Sequence, residues 1–257
     1  MLALGITDHD TVAGLDEALA AGQVYGVRVI PGVELSTEWQ EREIHILGYY
    51  INWQDGDLQA YLAGMRRDRQ RRTARMVQRL EEMGYGISMA EVEREVQGEA
   101  IGRPHIAAAL VSQGYVPSVE AAFQTLLARG RPAYVPRTRV LPARAVEIIL
   151  AAGGVPVLAH PGLSQADDLI PSLANRGLQG IEAYYPCHDC IATRRYLELA
   201  DEYNLVITGG SDYHGLVDSS HADLGSCQVG LDVVELLQQR AQRIKTGANP
   251  ATARQGD

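Results

Sequence analysis

Apolar residues fall into short runs along this chain, and most of the runs end at a polar or glycine-rich turn carrying a histidine or a carboxylate. Leu2 to Ile6 predicts a buried strand leading into Thr7-Asp8-His9-Asp10, and Val12 to Tyr25 predicts a helix with Leu15, Leu19, Ala18 and Ala21 inward. Val27 to Ile30 reads as a second short strand, stopped by Pro31-Gly32 ahead of Val33-Glu34-Leu35-Ser36. Ile44 to Ile51 reads as a third, with His45 between two isoleucines. The first two are joined by a helix, which predicts repeated βα units with right-handed crossovers.

From Gly56 to Pro132 the pattern changes to helices. Leu58, Tyr61, Leu62 and Met65, then Met76, Val77 and Leu80, follow a helical period that Gly84 ends. Ser88 with Glu91 predicts a capping box. Further helices are expected over Pro104 to Ser112 and Ser118 to Leu127. The strand-helix rhythm then resumes: a helix from Pro142 to Ala152, a strand from Val155 to Ala159 ending at His160-Pro161-Gly162, and a helix capped by Ser164 to Asn175. A strand over Leu178 to Ala183, a helix over Ile191 to Glu202 and a strand over Leu205 to Thr208 follow, the last leading into Gly209-Gly210-Ser211-Asp212-Tyr213-His214. Leu231 to Ile244 closes the pattern as a helix. The expected organisation is an α/β body over 1–55 and 133–244, a helical insert over 56–132 and a polar tail over 245–257.

The 257 residues are 46% apolar, enough for a substantial core, and contain no apolar stretch long enough to cross a bilayer. A formal charge of -9 argues against general coating of nucleic acid, although a metal-lined pocket with local arginines still suits a phosphate. Cys187, Cys190 and Cys227 make no even-numbered disulfide framework, and no signal-peptide pattern follows Met1, so a cytoplasmic protein is expected.

Histidines and carboxylates recur at strand ends: His9 after the first strand, Glu34 after the second, His160 after the strand that follows the insert, Asp212 with His214 after the last clear strand. Taken one at a time, such a histidine is a satisfied core or capping residue. Their recurrence, with His45 on the third strand, predicts a shared metal site of mixed imidazole and carboxylate donors, suited to manganese, zinc or iron. Two roles are open for Asp8 and Asp10, either holding the second nitrogen of His9 and assisting proton transfer or capping the following helix.

Six segments in order, Thr7-Asp8-His9-Asp10, Pro31-Gly32-Val33-Glu34, Glu43 to Gly48, Gly102-Arg103-Pro104-His105, Ala159-His160-Pro161-Gly162 and Gly210 to His214, resemble the PHP family, named from polymerase and histidinol phosphatase. The resemblance runs from residue 2 to about residue 240 and is strongest to the branch acting on nucleoside 3',5'-bisphosphates and on 5' ends of short RNA. It implies a distorted (β/α)7 barrel holding two or three divalent ions, with Mn2+ expected ahead of Zn2+ or Fe2+. It implies His9, Glu34, His45, His160, Asp212 and His214 as ligands, Glu34 bridging, and Arg103 and His105 facing substrate phosphate; Arg137, by its place at the return from the insert, is expected to bind substrate with them. The implied reaction is hydrolysis of a phosphomonoester by metal-activated water without a covalent protein intermediate, His105, His188 or Asp8 handling the proton. A small phosphorylated nucleotide, and short 5'-phosphorylated RNA, are the implied partners.

The family opens with a strand bearing His-x-His and a Ser-Asp-Gly turn, so a first β/α unit with three further ligands is expected upstream of Met1, and a chain that starts at Met1 is a short form. A short form of this kind is expected to bind metal weakly. A histidinol-phosphatase-like enzyme, a metal-dependent amidohydrolase and an inactive relative are the alternatives. The amidohydrolases often bridge their ions with a modified lysine, and the one lysine here, Lys245, lies outside the expected rim.

Two other features compete. Cys187-His188-Asp189-Cys190 has the spacing of a redox pair, but without a thioredoxin-like context it reads as a chance pair at the rim, with His188 the residue placed to meet substrate. Arg66, Arg67, Arg69, Arg71, Arg72 and Arg75 crowd one helix of the insert and read first as a solvated face, second as an arm steering phosphorylated substrate. Arg129, Arg131, Arg137 and Arg139 are better placed near a substrate entrance.

Overall fold

A computed structural model describes residues 1–96, 101–214 and 222–247; most of the expected polar tail lies outside the described residues. The chain divides into two compact units, Met1–Gln59 with Arg139–Asp257, and Ala60–Thr138.

The first unit is built on an open, curled sheet of six strands in sequence order. These are β1 (Ala3–Ile6), β2 (Arg28–Trp39), β3 (Arg42–Tyr49), β4 (Val155–Leu158), β5 (Gly180–Tyr184) and β6 (Val206–Gly209). Helix α1 (Leu15–Tyr25) joins β1 to β2 in parallel. The expected repeat of βα units then breaks, because β2 and β3 form an antiparallel hairpin and β4 runs antiparallel to β3. Parallel pairing returns from β4 to β5 and from β5 to β6.

β2 also corrects the short strand expected to end at Pro31. It continues to Trp39 because Pro31-Gly32 marks the point where the strand changes partner: residues 28–31 pair with β1 and residues 32–39 with β3. A Cβ on Gly32 would lie 2.7 Å from both Gly48 O and the Thr7 side chain, so only glycine fits between the two neighbours. Apolar side chains of β3, β4 and β6, including Leu47, Val155, Val157 and Val206, pack with Leu237 and Ala241 of the closing helix.

In the second unit, α2 (Gly56–Glu82, beginning in the first unit), α3 (Met89–Arg94), α4 (Arg103–Ser112) and α5 (Val119–Ala122) with a π turn over Phe123–Leu127 bury Met76, Leu80, Val92, Ile106, Leu110 and Leu127 against one another. The Ser88–Glu91 capping box forms as expected. After the return to the first unit come α6 (Pro142–Ala151), α7 (Pro161–Ser164), α8 (Ile170–Asn175), α9 (Cys190–Glu202) and α10 (Leu231–Lys245). Ser164 ends α7, with its hydroxyl on Pro161 O, and does not cap the helix expected after it. No helix among the described residues is long and apolar enough to cross a membrane.

Candidate metal centre

Backbone pairing brings the first three candidate ligands together. His9 stands opposite Glu34 in a parallel bridge, fixed by Glu34 N–H to Asp8 O at 3.1 Å and Asp10 N–H to Glu34 O at 2.9 Å. Across the hairpin Ser36 faces His45, and Glu34 shares a face with Ser36, so His45 and Glu34 are diagonal neighbours on one side of the sheet. The fourth arrives from β4, whose continuation ties Ala159 N–H to His45 O at 3.1 Å and presents His160 next.

Glu34 Oε1 is the hub. His45 Nδ1 lies 2.7 Å from it, His160 Nε2 3.2 Å and His9 Nδ1 3.9 Å. His9, Glu34 and His45 each offer a ligand atom within 4.8 Å of the others. Apart from Glu34 Oε1 itself, the buried Nδ1 atoms of His9 and His45 meet no hydrogen-bond partner, and Nδ1 of His160 meets none. Buried ring nitrogens left unpaired are costly unless something else takes their lone pairs. A divalent cation does so, and the mixed imidazole and carboxylate set suits a transition ion. His45 has the further arrangement that goes with such ligands: its other nitrogen, Nε2, is 3.3 Å from Glu43 Oε1.

The electrostatics of the metal-free protein follow from this crowding. Burial raises the Glu34 carboxyl, but contacts with His160, His45 and His9 outweigh it and hold the group well below its ordinary range. Burial lowers His45, yet Glu34 and Glu43 push it up to about 10. His9 is lowered, burial first and then the neighbouring imidazoles outweighing Glu34 and Asp10, which raise it.

Asp212 and His214 form an adjoining group after β6. Asp212 takes a hydrogen bond from the Tyr185 hydroxyl at 3.1 Å, and His214 Nδ1 is 2.8 Å from Asp212 O. Ring contacts connect this group to the hub, His9 to His214 at 5.5 Å and Tyr185 to His160 at 5.4 Å. Asp10, His160 and Asp212 all have positive φ, a concentration of left-handed backbone at the strand ends that supply the site. Asp10 accepts the Ser36 N–H at 2.9 Å and so braces β2, while α1 has no side-chain cap at Gly14. Asp8 is exposed.

His188 sits between Tyr185 and Tyr196, at 5.3 and 4.9 Å. Its Nδ1 is 3.0 Å from Ala183 O, and its Nε2 accepts Gly162 N–H at 3.2 Å, so both ring nitrogens are engaged by main chain. Burial, the larger effect, lowers its pKa. Beside it, Cys187 and Cys190 are exposed free thiols, and the N–H groups of α9 that would stabilise a thiolate go to Asp189.

Arg103, His105 and Arg137 belong to the helical unit. Gly102 N–H donates to His105 Nδ1 at 3.1 Å, which leaves Nε2 to carry the ring proton. Arg103 lies over the rings of Phe123 and Tyr134, at 5.6 and 5.9 Å, and Arg72 over Tyr134 at 5.6 Å. Burial first, then the like charges of Arg103, Arg137 and Arg69, lowers Arg72 to about 10; of these, Arg72 and Arg103 share the Tyr134 ring. The sequence assigns Arg103 and Arg137 to substrate, whereas Arg69 and Arg72 read first as part of a solvated face of α2 and only second as a steering arm. Glu182, a buried carboxylate on β5 whose Oε2 accepts His160 N–H at 2.9 Å, was missed. Its signal was a lone acid inside an apolar strand run.

No family model matches the chain. Among curated proteins, the phosphoribosyl 1,2-cyclic phosphate 1,2-diphosphodiesterase of Eggerthella lenta is 36% identical over 219 residues, 82% of either chain. The 3',5'-nucleoside bisphosphate phosphatase of Chromobacterium violaceum is 34% identical over 82% of this chain and 76% of its own. The 5'-3' exoribonuclease Rnm of Escherichia coli is 32% identical over 82% and 74%. Among solved structures, one assigned as a metal-dependent phosphoesterase of Bifidobacterium adolescentis superposes with a TM-score of 0.82 at 29% identity, covering 93% of this chain and 86% of that one.

Proposed function

Because the chain belongs to the metal-dependent phosphoesterases that include these bacterial diesterase, phosphatase and exoribonuclease relatives, we propose that it removes a phosphomonoester from a nucleoside 3',5'-bisphosphate, with short 5'-phosphorylated RNA as a further substrate. The observation that carries the proposal is Glu34 Oε1 within 3.9 Å of three imidazole nitrogens, two of them otherwise unpaired. The six motifs support the finer placement in the PHP family.

In this reading His9, Glu34, His45 and His160 hold divalent ions, Mn2+ first among them, and Asp212 and His214 complete the set. Bound there, two or three ions supply positive charge that offsets a phosphate dianion and lowers the pKa of the attacking water. The chain's own groups do the rest. Glu43 holds the second ring nitrogen of His45, and the Tyr185 hydroxyl orients Asp212. His105, with its proton on Nε2, is assigned to protonate the leaving oxygen, and the exposed Asp8 to pass a proton outward. His188 fits better as a fixed wall of the site, since protonating Nε2 would turn it against the Gly162 N–H it now accepts. Arg103 and Arg137, with Arg69 and Arg72, provide planar donors suited to a phosphate that is held and not cleaved.

A second reading is favoured by the Eggerthella relative: cleavage of a ribosyl cyclic phosphodiester. Product release is therefore measured with Mn2+ as inorganic phosphate from nucleoside 3',5'-bisphosphate and histidinol phosphate, as the ring-opened phosphomonoester from ribosyl 1,2-cyclic phosphate, and as mononucleotide from 5'-phosphorylated oligoribonucleotide. The bisphosphate is expected to have the highest kcat/KM. A preference for the cyclic diester would replace the proposal with the second reading, and no release from any substrate would overturn both.

A further inference from the structure

His160 reaches the hub from an unfavourable backbone conformation. Its φ of 24° and ψ of 57° are left-handed for a side chain with a Cβ, and Pro161 follows directly. Such a residue stays in place only if its surroundings hold it. Two main-chain hydrogen bonds do so here, Leu163 N–H to His160 O at 3.0 Å and His160 N–H to Glu182 Oε2 at 2.9 Å.

Glu182 is 5% exposed on β5, in the midst of Ile181 and Ala183, and two further carboxylates, Glu34 and Asp212, are near enough to act on its charge. An apolar residue would suit that strand position better, because burial first, and then the charges of Glu34 and Asp212, push the Glu182 carboxyl up to about 8. Gly210 keeps the space open: a Cβ there would stand 3.1 Å from Glu182 Oε1. We infer that Glu182 is a positioning residue, whose carboxyl group clamps the His160 main chain and thereby sets the approach of His160 Nε2 to Glu34 Oε1, where an ion would be held. The inference rests on the metal reading above. It explains why a carboxylate is buried next to the ligands without joining the group of donor atoms around Glu34.

The test is Mn2+ affinity, measured by calorimetry on the full chain, for wild type, Glu182→Gln and Glu182→Met. Gln keeps an oxygen that accepts the His160 N–H, so its Kd stays within about threefold of wild type, whereas Met weakens binding by about 10- to 100-fold, as loss of an outer partner of a metal ligand does. Unchanged affinity in Glu182→Met overturns the inference. Equal losses in Gln and Met overturn it too, because they make Glu182 a ligand. If Glu182→Met does not fold, hydrogen exchange at the His160 amide of wild type decides: protection supports the clamp, and free exchange in the folded protein rejects it. Wild type that takes up no Mn2+ overturns the metal reading itself, a result distinct from a failure confined to Glu182.

Discussion

Glu34→Gln in the metal-free protein isolates the hub from its ions. The carboxylate is 4% exposed and holds His45 at 2.7 Å and His160 at 3.2 Å, so the substitution removes one side of a buried charge pair. His45 is raised from 6.5 to about 10 by Glu34 and Glu43 against the cost of burial. At 1.36 kcal/mol per unit this amounts to roughly 5 kcal/mol, of which Glu43 carries a share, and breaking one partner of a buried pair costs about 3–5 kcal/mol. The depressed Glu34 is the same interaction seen from the other side and is counted once. The sign follows from the two directions. The raised His45 stabilises fully below 6.5 and loses its contribution as pH climbs to about 10; the depressed Glu34 stabilises above 4.5 and loses its contribution in acid. Urea unfolding in chelator should therefore show wild type more stable than Glu34→Gln by about 3 kcal/mol near pH 6, the difference shrinking towards pH 10. A difference that is flat across that range, or grows with pH, would refute the reasoning.

Three further outcomes are expected. Binding of Mn2+ at pH 8 should release about one proton per protein molecule, because His45 must deprotonate to coordinate, so calorimetric heats should differ between buffers of different ionisation enthalpy; identical heats would count against His45 as a ligand. Arg137→Glu should raise KM for the bisphosphate by at least about tenfold, the worth of a charged hydrogen bond, and flatten the salt dependence of RNA cleavage. An unchanged KM removes Arg137 from substrate binding. His188→Phe should lower kcat without removing the alkaline limb of the pH profile, since its engaged nitrogens wall the site and do not deliver protons; loss of that limb would restore it as the acid.

Strand ends were the most legible feature of the sequence. A short apolar run closed by His9, His160 or Asp212 is visible without any structure, and their delivery to one region follows from parallel strands. The hairpin of β2 and β3 was not legible, because Pro31-Gly32 carries the signature of a strand break while the structure uses it as an exchange of partners. Glu182 was passed over for a related reason: pattern reading treats an acid within an apolar run as noise, and only the fold brings its acceptor to the backbone N–H of a residue with positive φ. Arg72 and Arg69 were hidden by abundance, since periodicity on α2 alone cannot separate a guanidinium stacked on Tyr134 from its solvated neighbours. His188 was legible as a residue near the site but not in its role, which depends on two main-chain contacts.

The central claim is that Glu34 organises a divalent ion for phosphate ester hydrolysis. Crystals soaked in Mn2+ and measured at the manganese absorption edge test it directly. The account predicts an anomalous peak within about 2.5 Å of the Glu34 carboxylate and of imidazole nitrogens from His9, His45 or His160, at ordinary coordination distances. Anomalous density confined to other parts of the protein, or absent in crystals of an enzyme that still releases phosphate, would contradict it.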